Sequence, residues 1–349
     1  MPDLPPEPPD EDLPTVSYVM PVLNEVHHLE HAVAAALAQD YPGRQEVVLA
    51  LGPSRDGTLE LGHRLAAADP RVVVVDNPRT DIPVGMNLAI RAATGEVLVR
   101  VDAHTELPAG YTRRMVAELR HRDAANVGGV MKAEGRTPLQ RAVARAYNSP
   151  LGLGGGVYHG GDEAGPAESA YLGVFRRDVL EEVGLYDETL RRGEDYELNQ
   201  RIIAAGHLVW FVPTVEVTYW PRQSWSALAR QMWATGTWRG EMVRRARRSG
   251  LRYLAPPTLV LGLGASAVAV VGIAAGGPPA LGVVLVVPVA YAGFLGYAAA
   301  RALGGQSLGD RALDVGVLAT MHLSWGSGFL KGLLSGAGGT VDTSRVTRG

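Results

Sequence analysis

Two acidic segments mark the places where this sequence can do chemistry. In Val99-Arg100-Val101-Asp102-Ala103-His104 an aspartate closes a β-branched run and a histidine follows two positions later. A hard carboxylate oxygen and an imidazole nitrogen on one turn can face a single divalent cation such as Mg²⁺ or Mn²⁺. A cation held there can bridge phosphates and absorb the charge of a leaving group. The alternative is an Asx turn beside a solvated histidine. In Arg192-Gly193-Glu194-Asp195 two carboxylates stand where the helical run Glu197 to Ile203 begins. Asp195 can there take a proton from an incoming hydroxyl as a general base. As a plain charge at a helix start it contributes only ~0.3–1 kcal/mol, and taken alone that is the simpler reading.

A third segment, Gln231 to Arg248, interleaves Trp233, Trp238 and Arg239 around Gly236. It suits an interfacial helix whose cations reach lipid headgroups. Arginine suits bidentate phosphate contacts equally well. Other chemistries are excluded or disfavoured. Cysteine is absent, so there are no disulfides, thiolate metal sites or cysteine nucleophiles. With 33 basic against 36 acidic residues the net charge is -3, without the basic excess of a general nucleic-acid binder. His27-His28-Leu29-Glu30-His31 has the H-x-x-E-H spacing of inverted zinc peptidases, yet it opens the first helix after a strand and lacks a distal ligand. Gly152-Leu153-Gly154-Gly155-Gly156 neither follows a strand nor opens a helix, and reads as part of a flexible loop over Gly152 to Gly165.

The elements that must position these residues alternate between two patterns. Val16–Met20, Glu46–Leu51, Val72–Val75 and Val97–Val101 read as strands. His28–Gln39, Thr58–Ala68 and Val84–Ala93 read as helices. Alternating units of this length imply an α/β fold with a mostly parallel sheet and helices on both faces. Ligands of such sheets sit beyond the carboxyl ends of the strands, which directs attention to Asn24, Gly52, Asn77 and Asp102.

The charge distribution divides the chain. From Leu254 onward only 8 residues are charged, and Leu254 to Ala300 has none. Gly276-Gly277-Pro278-Pro279 splits that stretch into two apolar pieces, each of about 20 residues and able to span ~30 Å of hydrocarbon. Between Arg222 and Arg252 stand eight arginines and one glutamate. With Arg301 and Arg311 beyond the second piece, both ends of the hairpin carry arginine. The positive-inside rule then places those ends, and the domain before them, in the cytoplasm of a multi-pass cell-membrane protein. A further apolar segment, 312–334, either spans or lies in the interface; Gly328, Gly332 and Gly336 in it would let another helix approach closely. Residues 1–14 hold six prolines, five carboxylates and no basic residue, and are expected to be a disordered tail. The expected domains are therefore 15–221, catalytic; 222–253, a basic interfacial region; 254–336, a membrane region with a hairpin over 256–300; and 337–349, a tail.

Taken in order, these features resemble the family 2 glycosyltransferases with the GT-A nucleotide-sugar fold, and most of all the membrane-anchored enzymes of the succinoglycan-type exopolysaccharide branch. The carriers are Met20-Pro21-Val22-Leu23-Asn24-Glu25, Ser54-Arg55-Asp56-Gly57-Thr58, Ile82-Pro83-Val84-Gly85-Met86-Asn87 and Val101-Asp102-Ala103-His104. They continue with Phe175-Arg176-Arg177, Val183 to Glu188, Gly193-Glu194-Asp195, and Gln231 with Gly236 and Arg239. The resemblance covers roughly Val16 to Arg248. It implies that Pro21 and Glu25 line the nucleotide pocket, and that Asn24, Asp56 and Asn87 join them in binding substrate. Asp102 binds substrate and, with His104, holds the divalent metal. Asp195 is the general base, with Glu194 beside it, and Gln231 and Arg239 stand near the diphosphate or acceptor. One position departs from the pattern. Relatives carry an aspartate at the end of the second strand that contacts the nucleotide base, and here that position is Leu51, which removes a contact worth ~1–3 kcal/mol.

The resemblance thus implies an inverting transfer of sugar from a nucleotide-diphosphate donor to the hydroxyl of a lipid-linked or saccharide acceptor at a membrane surface. The rivals are a polyprenyl-phosphate sugar transferase or processive synthase on the same fold, and a catalytically silent, membrane-anchored partner that binds sugar nucleotides in an export complex. The missing acid at Leu51 favours the silent partner, and the retention of Asp102, His104 and Asp195 opposes it.

Overall fold

A computed structural model of the chain describes residues 13–105, 107–153, 161–246, 250–305 and 307–340. Residues 1–12 of the expected tail, 154–160 of the expected loop and the end of the C-terminal tail lie outside those residues; within the loop's described part Gly152 and Leu153 are helical and Gly165 lies in a strand. Where the tail enters the described chain it is fixed, because the Pro14 carbonyl accepts a hydrogen bond from Tyr41 Oη at 2.6 Å.

The strands and helices alternate first as β1 (Val16–Val22), α1 (Leu29–Leu37), β2 (Gln45–Leu51), α2 (Thr58–Ala68), β3 (Val72–Asp76), α3 (Ile82–Ala92), β4 (Val97–Arg100) and α4 (Tyr111–His121). Then follow β5 (Asn126–Ala133), α5 (Pro138–Tyr147), α6 (Pro150–Leu153), β6 (Gly165–Pro166), β7 (Tyr171–Arg176), α7 (Arg177–Glu182), α8 (Glu194–Ala204) and β8 (Val209–Tyr219). Four long helices end the chain: α9 (Trp225–Ala246), α10 (Ala255–Ala274), α11 (Val286–Tyr297) and α12 (Leu308–Ser335). Expected and observed elements differ by a few residues at their ends. Helix α3 starts two residues early, for example, because Pro83 is preorganised for a first turn.

The sheet order is β3-β2-β1-β4-β7-β5-β8-β6. Strands β3, β2, β1 and β4 run parallel, with Val22 opposite Leu51, Leu51 opposite Asp76, and Val19 opposite Arg100. The burial of β1 on both faces, from Val16 to Met20, explains its unbroken apolar run. Beyond β4 the sheet changes sense: β7 is antiparallel to both β4 and β5, and β6 is antiparallel to β8. The sheet is therefore mixed, and the parallel half is the part the alternating pattern foretold.

By packing, the chain forms two compact units, 1–131 with 160–218 and 132–159 with 219–349. The second unit takes in α5 and α6, ahead of β6 to β8. The reason is local bonding: Arg145 of α5 holds the fully buried Asp314 of α12 at 2.6 Å, Gln140 donates to the Pro221 carbonyl at 2.9 Å, and Tyr147 donates to Gln231 at 3.1 Å.

Within that unit α9 and α12 lie backbone against backbone. A Cβ on Gly236 would collide with the Trp325 carbonyl, one on Gly328 with the Trp233 carbonyl, and one on Gly332 with the Thr237 carbonyl. The small-residue stripe works as expected at Gly328 and Gly332. Gly336 instead stops α12, with a φ of 78°. Two segments, Leu251–Ala274 and Pro279–Arg301, are long and apolar enough to cross a membrane, each with a mean hydropathy of 2.0. The residues after α12 are tied to α9: the Ala337 amide donates to Glu241, and Trp238 Nε1 donates to the Thr340 carbonyl.

Candidate active site

The site residues of the first unit gather at the carboxyl ends of the parallel strands, where a brace of short hydrogen bonds builds the floor. The turn after β1 is clipped to the turn after β2. Asn24, at φ 56°, donates its amide to Ser54 Oγ and accepts the Arg55 amide on Oδ1, both at 2.9 Å. The Glu25 amide donates to Thr58 Oγ1 at 2.9 Å, and the Val26 amide to Asp56 Oδ2 at 3.2 Å. Asp56 also receives the amide and hydroxyl of Thr58. Partial burial pushes the Asp56 carboxyl up, but these hydrogen bonds outweigh it and hold the group below its ordinary range. Pro21 lies beside Gly85 and Asn77 at the same strand ends, with no room there for a larger residue at 85.

The brace presents Glu25 to the turn after β4. His104 Nδ1 lies 3.0 Å from Glu25 Oε1. A carboxylate only accepts, so Nδ1 donates here, which in the neutral ring leaves the lone pair on Nε2.

Asp102 and Asp195, distant in sequence, meet on one guanidinium. Arg100 Nε lies 3.3 Å from Asp102 Oδ1, and Nη1 lies 3.4 Å from Glu194 Oε1 and bonds Asp195 Oδ1 closely. Helix α8 sets the last two carboxylates: Gly193, at φ 79°, turns the chain so that Glu194 and Asp195 fall in its first turn. Partial burial pushes the Asp195 carboxyl up to about 7, with Arg100 opposing and Glu194 and Asp102 adding to the rise. A carboxylate poised near neutrality is well matched to taking a proton.

Asn87 belongs to a second brace. It is buried, donates Nδ2 to the Tyr186 carbonyl at 2.9 Å and to Glu188 at 3.0 Å, and accepts the Tyr186 amide. Its amide is consumed in fixing the segment that precedes α8. Leu51 is buried in the core and packs against Gly62 of α2. Gln231 and Arg239 lie in the second unit. The buried Gln231 bridges Tyr147 and Tyr219, and Arg239 stacks on Tyr253 with 4.0 Å from guanidinium carbon to ring centre.

Residues 17–184 match the family model described as "Glycosyl transferase family 2". The chain is also 33% identical over 322 residues to "Succinoglycan biosynthesis protein ExoA" of Rhizobium meliloti, covering 90% of this chain and 94% of that one. The chain belongs to glycosyltransferase family 2. A more distant relative is "Glycosyltransferase AglE" of Haloferax volcanii, 26% identical over 58% of this chain and 66% of the other. Among solved structures, the mannosyltransferase PcManGT of Pyrobaculum calidifontis, in complex with GDP-Man and Mn²⁺, shares the fold. Its TM-score is 0.61 at 21% identity, over 93% of this chain and 88% of that one.

For this glycosyltransferase the site chemistry suits a divalent cation. Three carboxylates face one guanidinium, and His104 follows one of them, Asp102, by two residues. Among the described residues no three His, Asp or Glu side chains cluster as a complete cage. Asp102 and His104 supply a carboxylate oxygen and an imidazole nitrogen, donor types that divalent cations accept.

Sequence reasoning passed over Arg100 and Tyr186. A signal for Arg100 was available: a charged residue inside Val97-Leu98-Val99-Arg100-Val101 is almost never buried unless paired. Tyr186 gave none, since a tyrosine in a turn has many ordinary reasons to be there.

Proposed function

We propose that this glycosyltransferase moves a sugar from a nucleotide-diphosphate donor to an acceptor hydroxyl with inversion, and that the acceptor is carried by a lipid. The observation that carries the reading is the meeting of Asp102 and Asp195 on Arg100. The acceptor oxygen attacks the anomeric carbon from the face opposite the diphosphate. The new carbon–oxygen bond forms as the bond to the diphosphate breaks, and Asp195 receives the hydroxyl proton. Asp195 Oδ1 is engaged by Arg100, so the proton goes to Oδ2. Asp102 and His104 would hold the divalent cation, which supplies positive charge to the departing diphosphate when bound. Glu25 keeps His104 in the tautomer that leaves Nε2 available. The braces at Asp56 and Asn87 hold these groups in place before substrate arrives, and alignment of this kind supplies much of the rate in such displacements.

The apolar segments Leu251–Ala274 and Pro279–Arg301, flanked by arginine, support a multi-pass cell-membrane protein with a cytoplasmic catalytic unit and access to a polyprenyl-linked acceptor. The named role of the Rhizobium meliloti relative supports a place in exopolysaccharide synthesis. The test is a panel of nucleotide sugars offered to detergent-solubilised protein with Mn²⁺ or Mg²⁺. One donor is expected to be consumed, with activity lost on EDTA and restored by the metal. No turnover of any donor would favour the silent, sugar-nucleotide-binding partner, and full activity after exhaustive chelation would remove the metal role of Asp102 and His104.

A further inference from the structure

We infer that Arg100 is the positioning residue of this site: one guanidinium pins Asp195 by a single oxygen, turns the other toward the acceptor, and ties that placement to Asp102. The inference rests on the reading of Asp195 as the base. Arg100 ends a strand that is otherwise apolar, and only 6% of its side chain is exposed. Burying a guanidinium is costly unless carboxylates and hydrogen bonds surround it. Here the carboxylates come from two separate stretches, Asp102 just after β4 and Glu194 and Asp195 at the start of α8.

The way the contacts are shared argues for placement over simple stabilisation. A structural ion network tends to satisfy every oxygen. Asp195 instead gives only Oδ1 to Arg100, while Oδ2 has no hydrogen bond among the described residues and the side chain is 36% exposed. The fork divides the work. Nε faces Asp102 on the strand's own turn, and Nη1 faces Glu194 and Asp195. A lysine carries the charge on one point and cannot face both ways. Tyr186 closes the cluster: it is buried beside Arg100, and Asn87 fixes its backbone.

The experiment compares Arg100→Lys and Asp195→Asn, singly and together, in the full-length solubilised protein with the donor identified by the panel. Kinetics are read as kcat against KM for donor and acceptor, beside melting temperature. Arg100→Lys is expected to lower kcat about 10²-fold while the donor KM stays within about threefold. In the Asp195→Asn background the same change is expected to cost less than about threefold, because there is no base left to place. Equal losses in both backgrounds, or a donor KM that rises and a melting temperature that falls together with kcat, would show a structural salt bridge and overturn the inference. So would Arg100→Lys turning over at the wild-type rate. If Asp195→Asn itself keeps its turnover, the base assignment fails, which is a different result. Should Arg100→Lys not fold, the neutral pair Arg100→Gln with Asp195→Asn replaces it. That pair is expected to match Asp195→Asn alone in residual turnover and donor KM, and a further large loss would overturn the inference.

Discussion

The strand-end site of the first unit and the α9–α12 pair of the second are built from opposite materials. The first is a net of charges: Asp56, Glu25 and His104 on one side, Arg100, Asp102, Glu194 and Asp195 on the other, each held by named hydrogen bonds. The second is a contact of bare backbone, with Gly236, Gly328 and Gly332 removing the side chains that would separate the helices. Charge nets of this kind tune protonation and placement, and a change in one should appear in turnover. Backbone contacts tolerate no added volume, and a change in one should appear in stability.

The comparison can be broken most sharply at Asp195. Asp195→Asn is expected to lower kcat by about 10²–10⁴ with little change in melting temperature or donor KM, measured by steady-state kinetics and thermal denaturation. A large loss of stability would show that the charge net also holds the fold. At the other pole, Gly332→Val sets a side chain against the Thr237 carbonyl and is expected to destabilise the second unit by about 3 kcal/mol or more. Gly264→Ala in α10, where a Cβ meets only open space, is the control expected to leave the melting temperature unchanged.

These two regions also differ in how much of them the sequence declares. The parallel strands β1 to β4 and their helices are legible because apolar runs and helical periods alternate there without interruption. The antiparallel half is not, since β7 joins β4 and β5 through contacts distant in the chain that no local pattern encodes. In the site, Asp102, His104 and Asp195 draw attention by type and spacing, whereas the bonds that place them cannot be read from the sequence. Asp56 and Asn87 stand in motifs that suggest direct contact with substrate, and the hydrogen bonds they make here hold loops as well. Sequence spacing cannot tell a ligand from the residue that braces it. In the second unit the apolar hairpin is plain from composition. The buried Asp314 beside Arg145 is not, because an acid in an apolar helix acquires its partner only when α5 packs nearby.

Smaller effects sharpen the picture. Glu25→Ala removes the acceptor that fixes the His104 tautomer, and is expected to raise the Mn²⁺ concentration needed for half-maximal activity by about 10–100-fold. An unchanged metal requirement would detach Glu25 from the metal. The pH profile reads the same base without a mutation. Asp195 works only when ionised, and burial with its acidic neighbours raises its carboxyl to about 7. The rate is therefore expected to fall about tenfold per unit below that value and to level off above it, an acid limb that Asp195→Asn should erase.

The most direct test of the central claim is an experimental structure of the solubilised protein with the nucleoside diphosphate of its donor and Mn²⁺. The diphosphate is expected beside Asp102 and His104, with the Asp195 carboxylate opening onto the same cavity and Arg100 still between the two acids. A nucleotide bound elsewhere, or Asp102 and Asp195 facing separate cavities, would contradict the account.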